Sequence, residues 1–153
     1  MSRAVLGLGS NLGDRSGNLQ RAVGALGDAV VAVSPIHETE PWGDPDQPWY
    51  LNQIVIVRDD GRSAMDWLHR AQQLEQDAGR QRDPYRRFGP RTLDVDVITV
   101  DDVVSDDPVL TLPHPRAHLR RFVLEPWLQI DPDAELPGEG RVAELLARLA
   151  EGD

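Results

Sequence analysis

Residues 87–98 read RFGPRTLDVDVI, and the second half of this stretch predicts a β-strand because β-branched residues dominate it. Side chains alternate between the two faces of a strand, so Asp94 and Asp96 should project from one face, about 7 Å apart. Val95 and Val97 should then point into a core. Carboxylate oxygens suit Mg²⁺, and a neighbouring guanidinium such as that of Arg91 suits phosphate. The stretch therefore predicts a metal-phosphate site on one face of a buried strand.

The same residues also fit a strand whose aspartates simply face water, since alternating apolar and polar residues are common on half-exposed strands. Aspartate is depleted in strands, however, and two carboxylates on one face repel each other. Because arginines lie so close in the sequence, we favour the site.

Composition narrows the class of protein. The 153 residues predict a single domain spanning 1–153. No apolar run has the length of a membrane span, and the start of the chain does not look like a signal peptide. The absence of cysteine excludes disulfides, thiolate catalysis and zinc-thiolate sites. We expect a cytoplasmic protein.

Charge distribution points to a small anionic ligand. All 16 basic residues are arginine, which excludes a P-loop lysine and a lysine Schiff base. A net charge of −10 disfavours nucleic-acid binding. Half of the arginines nevertheless fall between residues 80 and 121, and this local excess is typical of a site for a small polyanion. Loop arginines can also serve solubility alone, and this alternative stays open for Arg86 and Arg116.

Hydrophobic periodicity predicts the order strand, helix, strand, strand, helix, strand. A helix with Leu19, Ala22, Val23 and Leu26 on one side should follow a glycine-rich turn that starts at Gly9. We predict strands at 4–8, 30–36, 53–58, 103–104 and 110–112, a helix at 63–79, and a C-terminal helix carrying Val142, Leu145, Leu146 and Leu149. This order is that of a ferredoxin-like α/β sandwich, in which helices pack on an antiparallel sheet, here with C-terminal helices added.

A long segment between two predicted strands, residues 38–52, is unusually rich in rings. It contains Trp42, Trp49 and Tyr50 among prolines. Long loops tend to be functional, so a planar ligand stacked there would explain the rings. Trp49 could equally cap the sheet edge. Asn52, where this segment ends, has an amide that can both donate and accept hydrogen bonds along the polar edge of a heterocycle.

Other polar residues occupy telling positions. Glu75 falls inside the apolar stripe of the 63–79 helix, with Gln72 beside it, and needs a cationic partner. Arg80, Arg82 and Arg91 are the candidates. His114 and His118 have the spacing of a helical metal pair, but no third ligand supports zinc. We predict that His114 donates a hydrogen bond and that His118 lies at the surface.

Three motifs resemble one family. They are Gly9-Ser10-Asn11, the segment from Asp46-Gln47-Pro48 to Tyr50-Leu51-Asn52, and the run from Arg87 through Gly-Pro-Arg to Asp94-Val-Asp96. Together with Pro113-His114, Arg120 and Phe122 they resemble the 6-hydroxymethyl-7,8-dihydropterin pyrophosphokinases of folate biosynthesis. Glu40, Phe88 and Pro115 depart from the family pattern.

The resemblance implies transfer of pyrophosphate from ATP to the pterin hydroxymethyl group, with release of AMP. We expect a monomer. Asp94 and Asp96 would hold two Mg²⁺ ions, and Arg82 and Arg91 would complete the catalytic set. The implied ATP-binding residues are Gln72, Glu75, Arg82, Arg91, Ile98, Thr111, His114 and Arg120. The implied pterin-binding residues are Thr39, Trp42, Tyr50, Asn52, Asp94 and Phe122.

Two other classes of function stay open. A metal-dependent phosphohydrolase could use the same aspartates with water as the nucleophile. A non-catalytic ferredoxin-like binding module could bind a regulatory ligand or RNA, although the net charge argues against RNA.

Overall fold

The computed structural model describes residues 2–40, 46, 48–79 and 92–152. The strands are β1 (Arg3–Ser10), β2 (Val30–Val33), β3 (His37–Thr39), β4 (Tyr50–Arg58), β5 (Asp94–Val100), β6 (Glu135–Leu136) and β7 (Gly140–Arg141). The α-helices are α1 (Arg15–Leu26), α2 (Ala64–Asp77), α3 (Arg121–Ile130) and α4 (Val142–Gly152). Short 3₁₀ turns cover Gly27–Ala29 and Ala117–Leu119.

Within the described part of the chain, the main sheet has five strands. Four of them lie in the order β2-β4-β1-β5, and β3 pairs with β4 beyond the end of β2. Every pairing in it is antiparallel. With the first strand central and helices after the first and fourth strands, this is the predicted ferredoxin-like arrangement, and the fold prediction is confirmed.

The two faces of the sheet carry different helices. On one face α1 and α2 cover a core that includes Leu6, Val55 and Val95. On the other face α3 and α4 cover a second core that includes Val5, Ile54 and Ile98. Neighbouring residues of β1 and β4 belong to opposite cores, as strand alternation requires.

The helix predicted at 63–79 begins and ends as expected. Ser63 caps it by accepting a hydrogen bond from the backbone of Asp66, whose side chain bonds back to the Ser63 backbone. Gly79, just beyond the end, has φ of 74°, which glycine adopts without strain. Among the described residues, no helix combines the length and the apolar character needed to cross a membrane.

Several expectations about local structure differ from the structure. The strand expected at 30–36 ends at Val33, because the Ser34 hydroxyl, and not a backbone carbonyl, accepts from the Ile54 N–H, and Pro35 has no N–H with which to continue the ladder. Residues 103–104 form no strand, and residues 110–112 contribute only an isolated bridge from Leu112 to Ser105. C-terminal helices were expected, but no bounds were predicted for α3, which contains Pro126. β1 continues to Ser10, so the expected turn starts two residues after Gly9.

Candidate active site

A cavity of about 700 Å³ opens on the α3 side of the sheet, beside the start of that helix. Its lining residues come mainly from β1, β3, β4, β5, the segment that leads into α3 and the first turn of α3. A cavity of this size is typical of sites for small molecules.

Two glycines make up the floor of the cavity. Across three neighbouring strands, Gly9 pairs with Asn52 on one side and with Asp94 on the other. Two residues earlier on the same face of β1, Gly7 pairs with Ile54 on one side and with Asp96 on the other. A Cβ atom on Gly9 would lie 3.5 Å from both Asn52 Oδ1 and the Tyr50 ring, in space that the cavity now occupies. The sequence analysis missed this role because it placed Gly9 in a turn; a glycine at an inward position of a strand was the available signal.

Asp94 and Asp96 both line the cavity, on the face that alternation predicts. Val95 and Val97 are buried in the opposite core. The guanidinium of Arg120 lies 3.6 Å from Asp96 Oδ2. The two carboxylates of β5 therefore have the positive charge of Arg120 beside them in the cavity.

Cationic and aromatic groups gather where α3 begins. The Arg120 guanidinium lies over the Phe122 ring, 5.4 Å from its centre, and both residues line the cavity. Arg121 also lines it and forms an ion pair with Glu125, at 2.9 Å. Arg116 contributes to the wall as well. The sequence analysis had left open whether Arg116 serves solubility alone, and its place in the lining favours the site.

The opposite wall is built by the β3–β4 hairpin. Thr39 pairs with Tyr50, and both line the cavity together with Asn52. The Asn52 amide donates to Thr39 Oγ1 at 2.7 Å and to the His37 carbonyl at 3.3 Å. These contacts orient its side chain, with Oδ1 beside Gly9. Trp42, the remaining predicted pterin-binding residue, lies outside the described residues.

Several predicted nucleotide-binding residues lie away from this cavity. Ile98 and Arg120 line it, whereas Gln72, Glu75, Thr111 and His114 do not. Gln72 is exposed on α2. Thr111 donates its hydroxyl hydrogen to the Asp107 carbonyl, at 3.1 Å. Arg82 and Arg91 lie outside the described residues.

Glu75 connects α2 to β5, the strand that carries Asp94 and Asp96. Its Oε2 accepts a hydrogen bond from the backbone N–H of Val95, at 3.0 Å. This contact holds the backbone between Asp94 and Asp96. The proposed arginine partners of Glu75 all lie outside the described residues, so that part of the prediction stays open.

His114 is held in its neutral form. Burial and the positive charges of Arg120 and Arg116 lower its pKa to about 4. Its Nδ1 accepts a hydrogen bond from the backbone N–H of Arg116, at 3.2 Å. The ring proton must then sit on Nε2, which makes that nitrogen a hydrogen-bond donor at neutral pH.

The carboxylate oxygens at the cavity suit a hard cation such as Mg²⁺, which would fill its remaining coordination positions with other ligands. Within residues 2–40, 46, 48–79 and 92–152, no group of three or more acidic, histidine or cysteine side chains could enclose a metal. Asp94 and Asp96 offer two carboxylates on one face. Mg²⁺ commonly takes one or two carboxylates together with phosphate oxygens and water, so the residues present fit it.

Comparison of the sequence with known proteins agrees with the geometry. The family model described as 7,8-dihydro-6-hydroxymethylpterin-pyrophosphokinase (HPPK) matches residues 5–132. A Mycobacterium leprae protein named 2-amino-4-hydroxy-6-hydroxymethyldihydropteridine pyrophosphokinase is 51% identical, over 99% of this chain and 83% of its own length. A Pseudomonas aeruginosa protein of the same name is 36% identical, over 96% of this chain and 91% of its own length.

Solved structures agree on the fold. A Plasmodium falciparum HPPK-DHPS wild-type structure superposes with a TM-score of 0.71 at 12% identity, over 99% of this chain. A second HPPK-DHPS structure, in complex with substrates, gives a TM-score of 0.71 at 11% identity. This chain spans 44% and 46% of those two solved chains, respectively. The resemblance noted in the sequence is confirmed, and the chain belongs to the 7,8-dihydro-6-hydroxymethylpterin-pyrophosphokinase family.

Proposed function

We propose that this chain transfers pyrophosphate from ATP to the hydroxymethyl group of 6-hydroxymethyl-7,8-dihydropterin, releasing AMP, as a step of folate biosynthesis. The observation that carries the proposal is one cavity with two carboxylates on β5 and a ring-lined, amide-bearing wall on the β3–β4 hairpin. The carboxylates suit a metal-bound triphosphate, and the wall on the hairpin suits a flat heterocycle. Relatives across nearly the whole chain bear the corresponding enzyme name.

The pterin is assigned to the wall made by Thr39, Tyr50, Asn52 and Phe122, with Asp94 at its edge and Trp42 as a further contact. Because the Asn52 amide nitrogen already donates to Thr39 and His37, its Oδ1 is the atom that accepts from the pterin. Phe122 provides an apolar face for stacking. This wall would hold the ring and aim its hydroxymethyl group towards β5.

The nucleotide is assigned to the other side of the cavity. Arg120 is the described cation best placed to meet phosphate oxygens, since it lies at the cavity and beside Asp96. Ile98 also lines the cavity and belongs to the assigned set. His114, Gln72, Glu75 and Thr111 lie away from the cavity and would contact parts of ATP that extend beyond it, His114 by donating from Nε2. Arg82 and Arg91 complete the set.

Asp94 and Asp96 are the residues that would hold magnesium, and we propose two ions. When bound, Mg²⁺ neutralises phosphate charge and orients the reacting groups. The carboxylates fit this task because they share a face and lie beside a cation-rich wall.

The reaction itself requires positioning more than a strong base. The hydroxymethyl oxygen attacks the β-phosphorus in line as the bond to the AMP oxygen breaks, and its proton leaves to solvent or to an acceptor we do not assign. Arg120, with Arg82 and Arg91, would neutralise charge that develops on the phosphoryl oxygens. A partly enclosed cavity limits the access of water, which would otherwise hydrolyse ATP.

We further propose that the monomer is the working unit and that it acts in the cytoplasm. An acidic chain without cysteine is compatible with a reducing compartment, where disulfides are rare.

Product analysis with ATP, Mg²⁺ and 6-hydroxymethyl-7,8-dihydropterin tests the proposal. We expect AMP to form only with the pterin, in amounts that match a pyrophosphorylated pterin. ADP would mean attack at the wrong phosphorus, and inorganic phosphate or pyrophosphate would indicate a phosphohydrolase. Ligand binding without turnover would indicate a binding module.

A further inference from the structure

Arg15, the first residue of α1, connects both strands of the β3–β4 hairpin. Its NH1 atom lies 3.0 Å from Glu38 Oε2 on β3 and donates a 2.8 Å hydrogen bond to the carbonyl of Trp49, just before β4. Glu38 is adjacent to Thr39, and Trp49 is adjacent to Tyr50. Because Thr39 and Tyr50 pair across the hairpin and line the cavity, Arg15 holds the immediate neighbours of both.

The contact lies behind the cavity wall. Side chains alternate along β3, so Glu38 points away from the face that carries Thr39. Arg15 does not line the cavity. Any effect of Arg15 on the ligand must therefore pass through the position of the hairpin.

The hairpin needs such a support. β3 is an edge strand of three residues and pairs only with β4 among the described strands. Short edge strands have few ladder bonds to hold them. A neighbouring contact of the same kind comes from the buried Asn11, whose amide donates to the Pro48 carbonyl at 3.0 Å. Asn11, in the turn between β1 and α1, and Arg15, which follows that turn, thus hold two successive carbonyls just before β4.

We propose that Arg15 is a positioning residue for the pterin: it fixes the β3–β4 hairpin from behind and so sets the geometry of the wall that carries Thr39, Tyr50 and Asn52. The proposal rests on the proposed function of this cavity. It assigns Arg15 to pterin binding alone, because the carboxylates of β5 and the cations near α3 are held by other contacts.

Steady-state kinetics with each substrate varied in turn tests the assignment. We expect Arg15→Ala to raise the KM for the pterin about tenfold, the loss typical of a charge-assisted hydrogen bond. The KM for ATP and kcat should stay within about twofold of wild type. Arg15→Lys should restore part of the pterin affinity, since an ammonium group can still donate to both oxygens. Glu38→Ala should have a smaller effect, because the bond to the Trp49 carbonyl remains.

Arg70→Ala is the matched control. Arg70 also donates from its guanidinium to a backbone carbonyl, that of Ala25 at 2.7 Å, but at the far end of α1 and away from this cavity. Its removal should leave both KM values unchanged. If Arg15→Ala behaves like Arg70→Ala, or raises both KM values together, the assignment is wrong.

A direct measurement of pterin binding tests the role of Arg15 independently of whether the protein catalyses the proposed reaction. Calorimetric titration of the pterin, with circular dichroism as a check of folding, needs no turnover. A wild-type protein that forms no AMP would count against the proposed function, whereas equal pterin affinity of wild type and Arg15→Ala would overturn the role of Arg15. If Arg15→Ala does not fold, Glu38→Ala decides, and an unchanged pterin affinity in that variant overturns the proposal.

Discussion

The two faces of the sheet are built from the same strands and differ sharply in what they present. On the α1–α2 face, Leu6, Leu8, Val55 and Val95 form part of a continuous apolar core. On the α3–α4 face the apolar core covers only one end of the strands. At the other end glycines, carboxylates and an amide line a cavity instead.

This difference separates the stability of the fold from its function. Burial of apolar side chains against α1 and α2 stabilises the fold, whereas the cavity face gives up such burial. Asp94 and Asp96 place like charges on one face, which is unfavourable without a cation nearby. The cavity face therefore contributes less packing to the stability of the fold, and the apolar core on the α1–α2 face makes up for that loss.

The largest expected effect comes from the carboxylates of the cavity face. Asp96→Ala should lower turnover about 1,000-fold, because metal ligation contributes several kcal/mol to the transition state. The free energy of unfolding should hardly change, since Asp96 and its partner Arg120 are both partly exposed. Rates of AMP formation and urea unfolding would measure the two quantities. A variant that keeps its activity would refute the metal assignment.

The packed face should respond in the opposite way. Leu6 is fully buried against α1 and α2, so Leu6→Ala should lower the free energy of unfolding by about 2–5 kcal/mol. The kcat of the folded fraction should remain close to that of wild type. Urea unfolding and kinetics below the unfolding transition provide the test. A large loss of kcat with little loss of stability would contradict the separation of the two faces.

The cavity floor offers a finer test. Gly9→Val would place two methyl groups beside Asn52 and Tyr50, so pterin affinity should fall about 10- to 100-fold while the strand persists. Gly9→Ala should have a smaller effect, because its Cβ would make only ordinary contacts at 3.5 Å. Gly24→Ala on α1, where a Cβ meets nothing within 4 Å, is the control. Equal affinity of all three variants would show that Gly9 does not bound the ligand.

The smallest expected effect concerns His114. Its pKa in the folded chain is about 4, below the ordinary value of 6.5, so between these values the unfolded chain binds a proton that the folded chain does not. Stability conferred by the neutral ring is fully present above pH 6.5 and is lost as the pH falls towards 4. His114→Gln should flatten the pH dependence of the unfolding free energy in this window by up to about one proton. Urea titrations from pH 4 to 7 would measure it, with His118→Gln as the control.

Much of the fold and part of the candidate site could be predicted from local pattern. The alternation in residues 94–97 placed Asp94 and Asp96 on the cavity face, and the capping residues placed α2. The order of elements was enough to predict the ferredoxin-like sheet. These features depend on the period of side-chain direction and on local hydrogen bonds, which a sequence specifies directly.

Other features depended on contacts between distant parts of the chain. Helix α3 forms around Pro126 because Val123, Leu124 and Trp127 are buried against the sheet, which outweighs the local cost of the proline. Gly7 and Gly9 became a cavity floor only because β4 and β5 flank β1 in that register. The contact of Arg15 with Glu38 and Trp49 joins residues 23 and 34 positions apart.

The sequence by itself thus determined which faces of each strand and helix are apolar and which residues carry the reactive groups. Only the tertiary structure decided which of those groups share a cavity, because strand register and helix packing set distances between residues that no local pattern relates.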